Sequence, residues 1–227
     1  MTHVREHRSV LARAEKRLLI HIAARLPTAV TSDHLTALAL VAMVIAGAAF
    51  ATIHATAWGA GLFVVALAVN WFGDSLDGTV ARVRDQQRPR YGYYVDHVLD
   101  LAGTTALVAG MAASGLMSPA IAIALLAVYC LVSAESYLAT HSLGVFRISF
   151  AGVGPTELRI LLAVGAVFVA REPWVTVAGR HLLLFDLGGI IATGGLLAAF
   201  VASSVRNARA LSVADPLPSA LEKERAA

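Results

Sequence analysis

Six runs of apolar residues, each close to the length of a membrane-crossing helix, constrain the fold of this chain most strongly. They cover approximately residues 35–53, 57–75, 94–114, 118–138, 157–171 and 182–205. A helix needs about 20 residues to cross the ~30 Å hydrocarbon core of a bilayer. Only 15% of all residues are charged and 58% are hydrophobic, whereas roughly a quarter of the residues in soluble domains are charged. The sequence therefore predicts an all-α integral membrane protein, built as a six-transmembrane-helix bundle.

The residues on either side of the apolar runs form two smaller regions. Residues 1–34 include VREHRSVLARAEKRLLIHIAARLP, which predicts an N-terminal amphipathic interfacial helix, with a solvated amphipathic helix as the alternative. The apolar side of this helix is predicted to consist of Val10, Leu11, Ala14, Leu18 and Ile22. Residues 35–205 form the transmembrane domain, and the polar residues 206–227 are predicted to be a disordered cytoplasmic tail.

The positions of the basic residues predict the orientation of the chain in the membrane. All but Arg171 and Arg180 of the 18 lysines and arginines fall in the two terminal regions or in the connections after the second and fourth apolar runs. Basic residues accumulate on the cytoplasmic side of membrane proteins. We therefore expect a multi-pass protein with both termini on the cytoplasmic side. The net charge of +3 comes without a basic patch interleaved with aromatic residues, so no nucleic-acid partner is predicted.

Four aspartates stand at the facing ends of the second and third apolar runs. Asp74 and Asp77 are three residues apart, and Asp96 and Asp100 are four apart, so each pair projects from one face of its helix. Four carboxylates that converge at low dielectric repel one another unless cations neutralise them. Oxygen ligands without cysteine or histidine favour Mg²⁺ or Mn²⁺, and two such ions can clamp a phosphoryl group.

Three further residues follow the first aspartate pair in a pattern that suits a phosphate ligand. Gly78 and Ala81 leave a shallow helix surface, and Arg82 can present a forked guanidinium to phosphate oxygens. Helix packing would explain either small residue by itself. The combination with the aspartates favours a binding site for a phosphorylated ligand.

These residues together resemble the signature of a known family. The chain reads D-x-x-D-G-x-x-A-R from Asp74 to Arg82, then nine residues, then G-x-x-x-D-x-x-x-D from Gly92 to Asp100. This arrangement resembles the CDP-alcohol phosphotransferase (CDP-alcohol phosphatidyltransferase) family of membrane enzymes in phospholipid biosynthesis, with every fixed position present. The six apolar runs and the N-terminal helix extend the similarity over most of the chain.

The resemblance implies a reaction, cofactors and residue roles. Family members displace CMP from a CDP-linked donor by attack of an alcohol hydroxyl, use two divalent cations, and are commonly homodimers. The cations would be held by Asp74, Asp77, Asp96 and Asp100, of which Asp100 would also be the general base. The residues implied at the CDP site are Asp77, Gly78, Ala81, Arg82 and Gly92. The distribution of the basic residues predicts that this site faces the cytoplasmic surface of the lipid bilayer.

The acceptor alcohol is expected to bind near the fourth and fifth apolar runs. Candidate acceptor-binding residues are Glu135, Arg147 and Glu157, although Glu157 is equally suited to cap the helix that Gly154 and Pro155 introduce. The stretch from Ser136 to Thr140 lacks the basic residues that members with phosphorylated acceptors carry, and only Arg147 and Arg159 remain. This departure argues against a phosphorylated acceptor. The Asp96-His97-x-x-Asp100 form and the G-P-T-E element from Gly154 to Glu157 are more similar to members that use CDP-choline or CDP-ethanolamine, while CDP-diacylglycerol stays open as the donor.

A membrane transporter is the alternative function. Carboxylates inside a membrane also mark cation pathways. A transporter would not need the glycines, Ala81 and Arg82 at these spacings. The sequence therefore favours the enzyme.

Overall fold

Helices make up most of the described chain. The computed structural model describes residues 4–6, 12–147 and 154–216. Within these ranges the helices are α1 Ala12–Arg25, α2 Ser32–Ala51, α3 Gly59–Val83, α4 Pro89–Ala113, α5 Pro119–Leu143, α6 Pro155–Val169 and α7 Leu184–Ala214. The strands are β1 Val4–Glu6, β2 Val145–Arg147, β3 Trp174–Val177 and β4 Arg180–Leu183.

Helices α2 to α7 coincide with the six apolar runs. Among the described residues, four of them are long and apolar enough to cross a membrane, namely α2, α3, α5 and α7. Helix α4 carries Arg90, Asp96 and Asp100 in its first half. Helix α6 has 15 residues and is ~22 Å long, shorter than the ~30 Å hydrocarbon core. The prediction of a helical membrane protein is therefore confirmed, with four candidate spans instead of six.

Local sequence signals explain where most of these helices begin and end. The hydroxyl of Thr31 accepts a hydrogen bond from the first turn of α2, which is an N-cap interaction. Pro89, Pro119 and Pro155 stand at the starts of α4, α5 and α6, where the missing N–H of proline costs nothing. Helix α5 ends at Gly144, whose φ of 70° is the left-handed conformation that glycine adopts easily.

Helix α2 is the central element of the bundle. Both α3 and α4 make their most extensive contacts with α2, not with each other. The helices come close because glycines occupy the crossing points. A Cβ atom on Gly110 of α4 would collide with the carbonyl oxygen of Gly47 in α2, and one on Gly73 of α3 would lie 2.6 Å from the carbonyl oxygen of Leu35. Small residues at such crossings are typical of helices packed in membranes.

Two apolar clusters fill the two ends of this bundle. At one end Phe50 packs edge-on against Phe63 and Phe185, with ring centroids 5.1 and 4.7 Å apart, and so joins α2, α3 and α7. The cluster at the other end joins α1 to α2 and α3 and comprises Leu19, Ala23, Leu35, Leu76 and Val80. This second cluster lies beside the aspartates, because Leu76 is on the same helix between Asp74 and Asp77.

The N-terminal helix differs from its prediction in where it begins and in which side chains it buries. It begins at Ala12, while residues 4–6 form β1 and pair in parallel with β2. Its buried side chains are Leu19 and Ala23, whereas Leu18 is 49% exposed. The buried side of α1 is thus centred on Leu19 and Ala23, with Ile22 of the predicted stripe partly buried beside them, because α1 packs against α3. Val10 and Leu11 of the predicted stripe lie outside the described residues, and the side chain of Ala14 is not described.

The last helix and a hairpin before it also depart from the sequence prediction. Strands β3 and β4 form an antiparallel hairpin whose turn residues Ala178 and Gly179 both have positive φ, as in a type I′ turn. Helix α7 continues to Ala214, so residues 206–214 of the predicted tail are helical. Residues 217–227 lie outside the described part of the chain.

We expect Gly110→Ala to destabilise the protein by about 1–3 kcal/mol, because the new methyl group has to push α4 away from Gly47. Thermal unfolding of the detergent-solubilised protein, followed by circular dichroism, measures this effect. Gly194→Ala in α7 is the control, since a Cβ there would meet nothing within 4 Å. A variant with alanine at 110 that melts at or above the wild-type temperature would contradict the close crossing.

Candidate active site

The structure brings the four aspartates together at one end of the bundle. Asp74 and Asp77 lie on successive turns of α3, and Asp96 and Asp100 on successive turns of α4. The Asp100 carboxylate is close enough to interact electrostatically with the other three carboxylates and with Arg159. The convergence follows from the packing of α3 and α4 on α2. The guanidinium groups of Arg159 and Arg82 also interact with this group, but two cations do not balance four carboxylates, so an excess of negative charge remains.

The second aspartate pair forms a compact group of potential metal ligands with His97. Ligand atoms of Asp96, His97 and Asp100 all lie within 4.8 Å of one another, and His97 Nδ1 is 3.4 Å from Asp96 Oδ2. The His97 ring stacks on Tyr137 at 4.9 Å and meets Tyr93 edge-on at 4.2 Å. These contacts hold the imidazole in place next to the two carboxylates.

The first aspartate of α3 is paired with a cation from α6. Arg159 Nη2 donates to Asp74 Oδ2 at 2.5 Å, and Arg159 Nε donates to Asn70 Oδ1 at 2.7 Å. Asn70 is 4% exposed, and its amide nitrogen donates to the carbonyl oxygen of Ala39 at 3.0 Å. Asp74 is therefore tied to α2 and α6 through two polar side chains.

The second aspartate of α3 is the most enclosed of the candidate ligands. Asp77 is 9% exposed. Thr36 Oγ1 donates to Asp77 Oδ2 at 2.8 Å, and the N–H of Gly78 donates to Asp77 Oδ1. Hydrogen bonds of this kind stabilise a buried carboxylate and fix its orientation.

The residues expected at a phosphate ligand lie beside these carboxylates. Arg82 is exposed, and its Nη2 donates to Thr79 Oγ1 at 3.0 Å. A Cβ atom on Gly78 would lie 3.3 Å from Arg82 Nη1, while one on Gly92 would meet nothing within 4 Å. Gly78 and Ala81 are half-buried on the same helix. The arrangement leaves open surface next to the negative group, with the Arg82 guanidinium at its edge.

The candidate acceptor residues already have contacts within the chain. Glu135 accepts hydrogen bonds from Ser203 Oγ at 3.0 Å and Asn207 Nδ2 at 2.7 Å, both on α7. Glu157 Oε2 accepts from the N–H of Gly154 at 3.0 Å, so its predicted capping of α6 is confirmed. Arg147 ends β2, and its side chain lies outside the described part of the structure.

Several side chains of this site are absent from the signature motif. Four side chains outside the motif contact its aspartates or the residues that hold those aspartates. They are Thr36, Asn70, His97 and, from α6, Arg159. Asn70 does have a detectable signal, since it is a polar residue within an apolar run, one helical turn before Asp74. For Thr36 and Arg159 the contact depends on packing between helices far apart in sequence.

A comparison with known protein families agrees with the motif. A family model described as CDP-alcohol phosphatidyltransferase matches residues 29–205. The matched region includes all four aspartates, Arg159 and helices α2 to α6. No curated protein matches the chain.

Replacing Glu135 with alanine is expected to lower the free energy of unfolding by about 1–3 kcal/mol, because Ser203 and Asn207 lose their acceptor at the interface of α5 and α7. Thermal unfolding in detergent measures the loss. Glu172→Ala is the matched control. Glu172 lies just beyond α6 and, among the residues that the structure describes, accepts a hydrogen bond only from the nearby backbone N–H of Trp174. Equal melting temperatures for the wild type and Glu135→Ala would show that the contact does not stabilise the bundle.

Proposed function

Because the chain belongs to the CDP-alcohol phosphatidyltransferase family, we propose that it transfers a substituted phosphate group from a CDP-linked donor to an alcohol hydroxyl. The products are CMP and a phospholipid phosphodiester. The observation that carries the proposal is the convergence of four carboxylates with an excess of negative charge at one end of an apolar bundle. A site of this charge is suited to divalent cations and, through them, to phosphate groups.

The donor atoms of this site suit two divalent cations, Mg²⁺ or Mn²⁺. Oxygen ligands would come from Asp74, Asp77, Asp96 and Asp100, and the imidazole of His97 lies within the same group. Carboxylate oxygens are preferred by both ions. When bound, such cations neutralise phosphate charge and orient the transferred group. Arg159 occupies one oxygen of Asp74. The two oxygens of Asp77 accept from Thr36 and from the N–H of Gly78, and each has a second lone pair that a cation could share.

The CDP moiety is proposed to lie along α3 and the start of α4. Gly78, Ala81 and Gly92 leave this surface without bulky side chains, so a nucleotide can approach the backbone. Arg82 is exposed and is proposed to turn from Thr79 onto the diphosphate, where a guanidinium forms paired hydrogen bonds with phosphate oxygens. Asp77 would contribute to both the cation and the donor site.

The reaction itself needs one proton acceptor beside the phosphate. The alcohol oxygen attacks the phosphorus farther from the cytidine, a new O–P bond forms, and the bond from that phosphorus to the bridging oxygen breaks, so CMP leaves. Asp100 is proposed to take the hydroxyl proton. It belongs to the same group of ligand atoms as Asp96 and His97, so an alcohol held beside the cations would be within reach of it.

The donor and acceptor remain two alternatives within this proposal. One donor is CDP-diacylglycerol; the other is a CDP-amino-alcohol of the choline or ethanolamine type, with a lipid alcohol as acceptor. Glu135, Arg147 and Glu157 are the proposed acceptor contacts. For Glu135 and Glu157 this role would add to the structural contacts that both carboxylates make.

The proposed setting is the cytoplasmic surface of a bilayer. Six helices would cross or enter the membrane, α1 would lie at the interface above α3, and both termini and the aspartates would face the cytoplasm. Large apolar side chains exposed on α2, α5, α6 and α7 support contact with lipid. A homodimer is proposed from the family resemblance alone.

The central experiment measures CMP release from purified protein with each CDP-linked donor and a panel of alcohols, with and without Mg²⁺ or Mn²⁺. Asp100→Asn should reduce the rate by about a hundredfold or more, because the hydroxyl proton loses its acceptor. Asp85→Asn is the matched control. Asp85 lies in the connection between α3 and α4 with a φ of 56°, a conformation that asparagine also adopts.

Cation-dependent CMP release with one donor, lost in Asp100→Asn and kept in Asp85→Asn, would establish the reaction. Cation flux through proteoliposomes without any nucleotide release would refute it and favour a transporter.

Arg82→Ala is expected to raise the KM for the donor by about tenfold or more, because a charged hydrogen bond to phosphate contributes roughly 1.5–3 kcal/mol. The KM for the acceptor should stay unchanged. Initial rates at varied donor and acceptor concentrations separate the two constants, and Arg171→Ala beyond the far end of α6 is the control. A defect confined to the acceptor would contradict the placement of Arg82 on the diphosphate.

A further inference from the structure

We propose that Asn70 and Arg159 are positioning residues that together set the orientation of the Asp74 carboxylate in the cation site. The inference rests on the proposed function in one respect, because it treats Asp74 as a cation ligand. Neither Asn70 nor Arg159 is part of the signature motif. Both act through Asp74 and need no contact with the substrate.

The first step is the anchoring of Asn70. Its amide nitrogen donates to the carbonyl oxygen of Ala39 at 3.0 Å, so a side chain of α3 is fixed to the backbone of α2. Asn70 is 4% exposed, and a buried amide that is hydrogen-bonded on both sides has little freedom to rotate. The Oδ1 atom of Asn70 is thereby held in a defined position that faces α6.

The second step is the orientation of Arg159. Its Nε donates to Asn70 Oδ1 at 2.7 Å and its Nη2 donates to Asp74 Oδ2 at 2.5 Å. Both donors belong to one rigid planar guanidinium, so fixing Nε also fixes the direction of Nη2. Asn70 and Asp74 are four residues apart on α3 and share one face, which lets a single guanidinium bridge them.

The third step is the effect on Asp74. Its Oδ2 is occupied by Arg159, so Oδ1 is the oxygen left to face the other three aspartates. Partners that orient a metal ligand in this way commonly change metal affinity by ~10–100-fold when they are removed. Asp74 and Arg159 side chains are 22% and 16% exposed, so solvent competes only weakly for their contact.

The residue types match this role. Asparagine offers one donor and one acceptor on the same planar group, as the two contacts require, while alanine offers neither. Lysine keeps the charge of Arg159 but has no pair of donors fixed side by side on one planar group. Arg159→Lys therefore tests orientation while the positive charge beside the site is retained.

The test is direct Mn²⁺ binding to the full-length, detergent-solubilised protein, measured from the electron paramagnetic resonance signal of the free ion. We expect Asn70→Ala and Arg159→Lys each to weaken Mn²⁺ binding by about tenfold or more. The double variant should be no weaker than the weaker single variant, because both changes break the same connection.

Arg84→Lys is the matched control. Arg84 also donates several hydrogen bonds, to the carbonyl oxygens of Leu26, Pro27 and Val30, and these atoms belong to the connection between α1 and α2. It should bind Mn²⁺ like the wild type. Melting temperatures without added cation, measured in parallel, show how far each variant is destabilised.

A kinetic measurement separates positioning from a general structural defect. In Asn70→Ala and Arg159→Lys, the Mn²⁺ concentration for half-maximal CMP release should rise about tenfold, while the donor and acceptor KM values at saturating Mn²⁺ stay within about twofold of wild type. If Asn70→Ala does not fold, Arg159→Lys carries the test alone, since it leaves the anchored Asn70 intact.

The outcomes distinguish this inference from the proposed function. Wild-type protein that binds Mn²⁺ and releases CMP, together with variants whose Mn²⁺ affinity is unchanged, would overturn the positioning role and leave the function intact. Equal losses in Arg84→Lys would also overturn it. Wild-type protein that neither binds Mn²⁺ nor releases CMP would overturn both.

Discussion

Holding four carboxylates together at the end of an apolar bundle is the constraint on which the rest of this structure depends. Their mutual repulsion and loss of hydration both oppose folding. Within the chain, Arg159 offsets part of the charge at Asp74, while Thr36 and the N–H of Gly78 donate to Asp77. The charge that remains is what makes the site suitable for divalent cations. The protein alone leaves the charge of these carboxylates incompletely neutralised, so binding of a cation there is favourable.

The scaffold that imposes this arrangement is α2 with its two neighbours. Glycines let α3 and α4 approach α2 closely, so the aspartates of two helices that contact each other little still converge. The apolar cluster of Leu19, Leu35 and Leu76 packs directly beside them, and the phenylalanine cluster fixes the other end. Because interiors packed in this way deform little, the carboxylates are held by the bundle and not by a flexible loop.

Much of the fold could be predicted because its signals are local. Apolar runs located the starts of α2 to α7 within five residues, although α3 and α7 extend well beyond the predicted ends, and Pro155 marked the start of α6. The prediction was less accurate where a contact between distant elements decides which side of a helix is buried or which strands pair. The buried side of α1 is set by its packing on α3, which buries Leu19 instead of Leu18. Strand β1 needs β2 as a partner 141 residues later, and such pairing has no local pattern.

The sequence by itself determined the helical membrane class, the family and the four aspartates. Each of these depends on the length of an apolar run, on residue spacing along one helix or on a motif of fixed residues, and all three are local features of the chain. Only the tertiary structure decided which side chains surround those aspartates. Arg159 meets Asp74 across 85 residues, Thr36 meets Asp77 across 41, and Glu135 turns to α7. The physical reason is that these contacts depend on the crossing and rotation of packed helices, which no short stretch of sequence encodes.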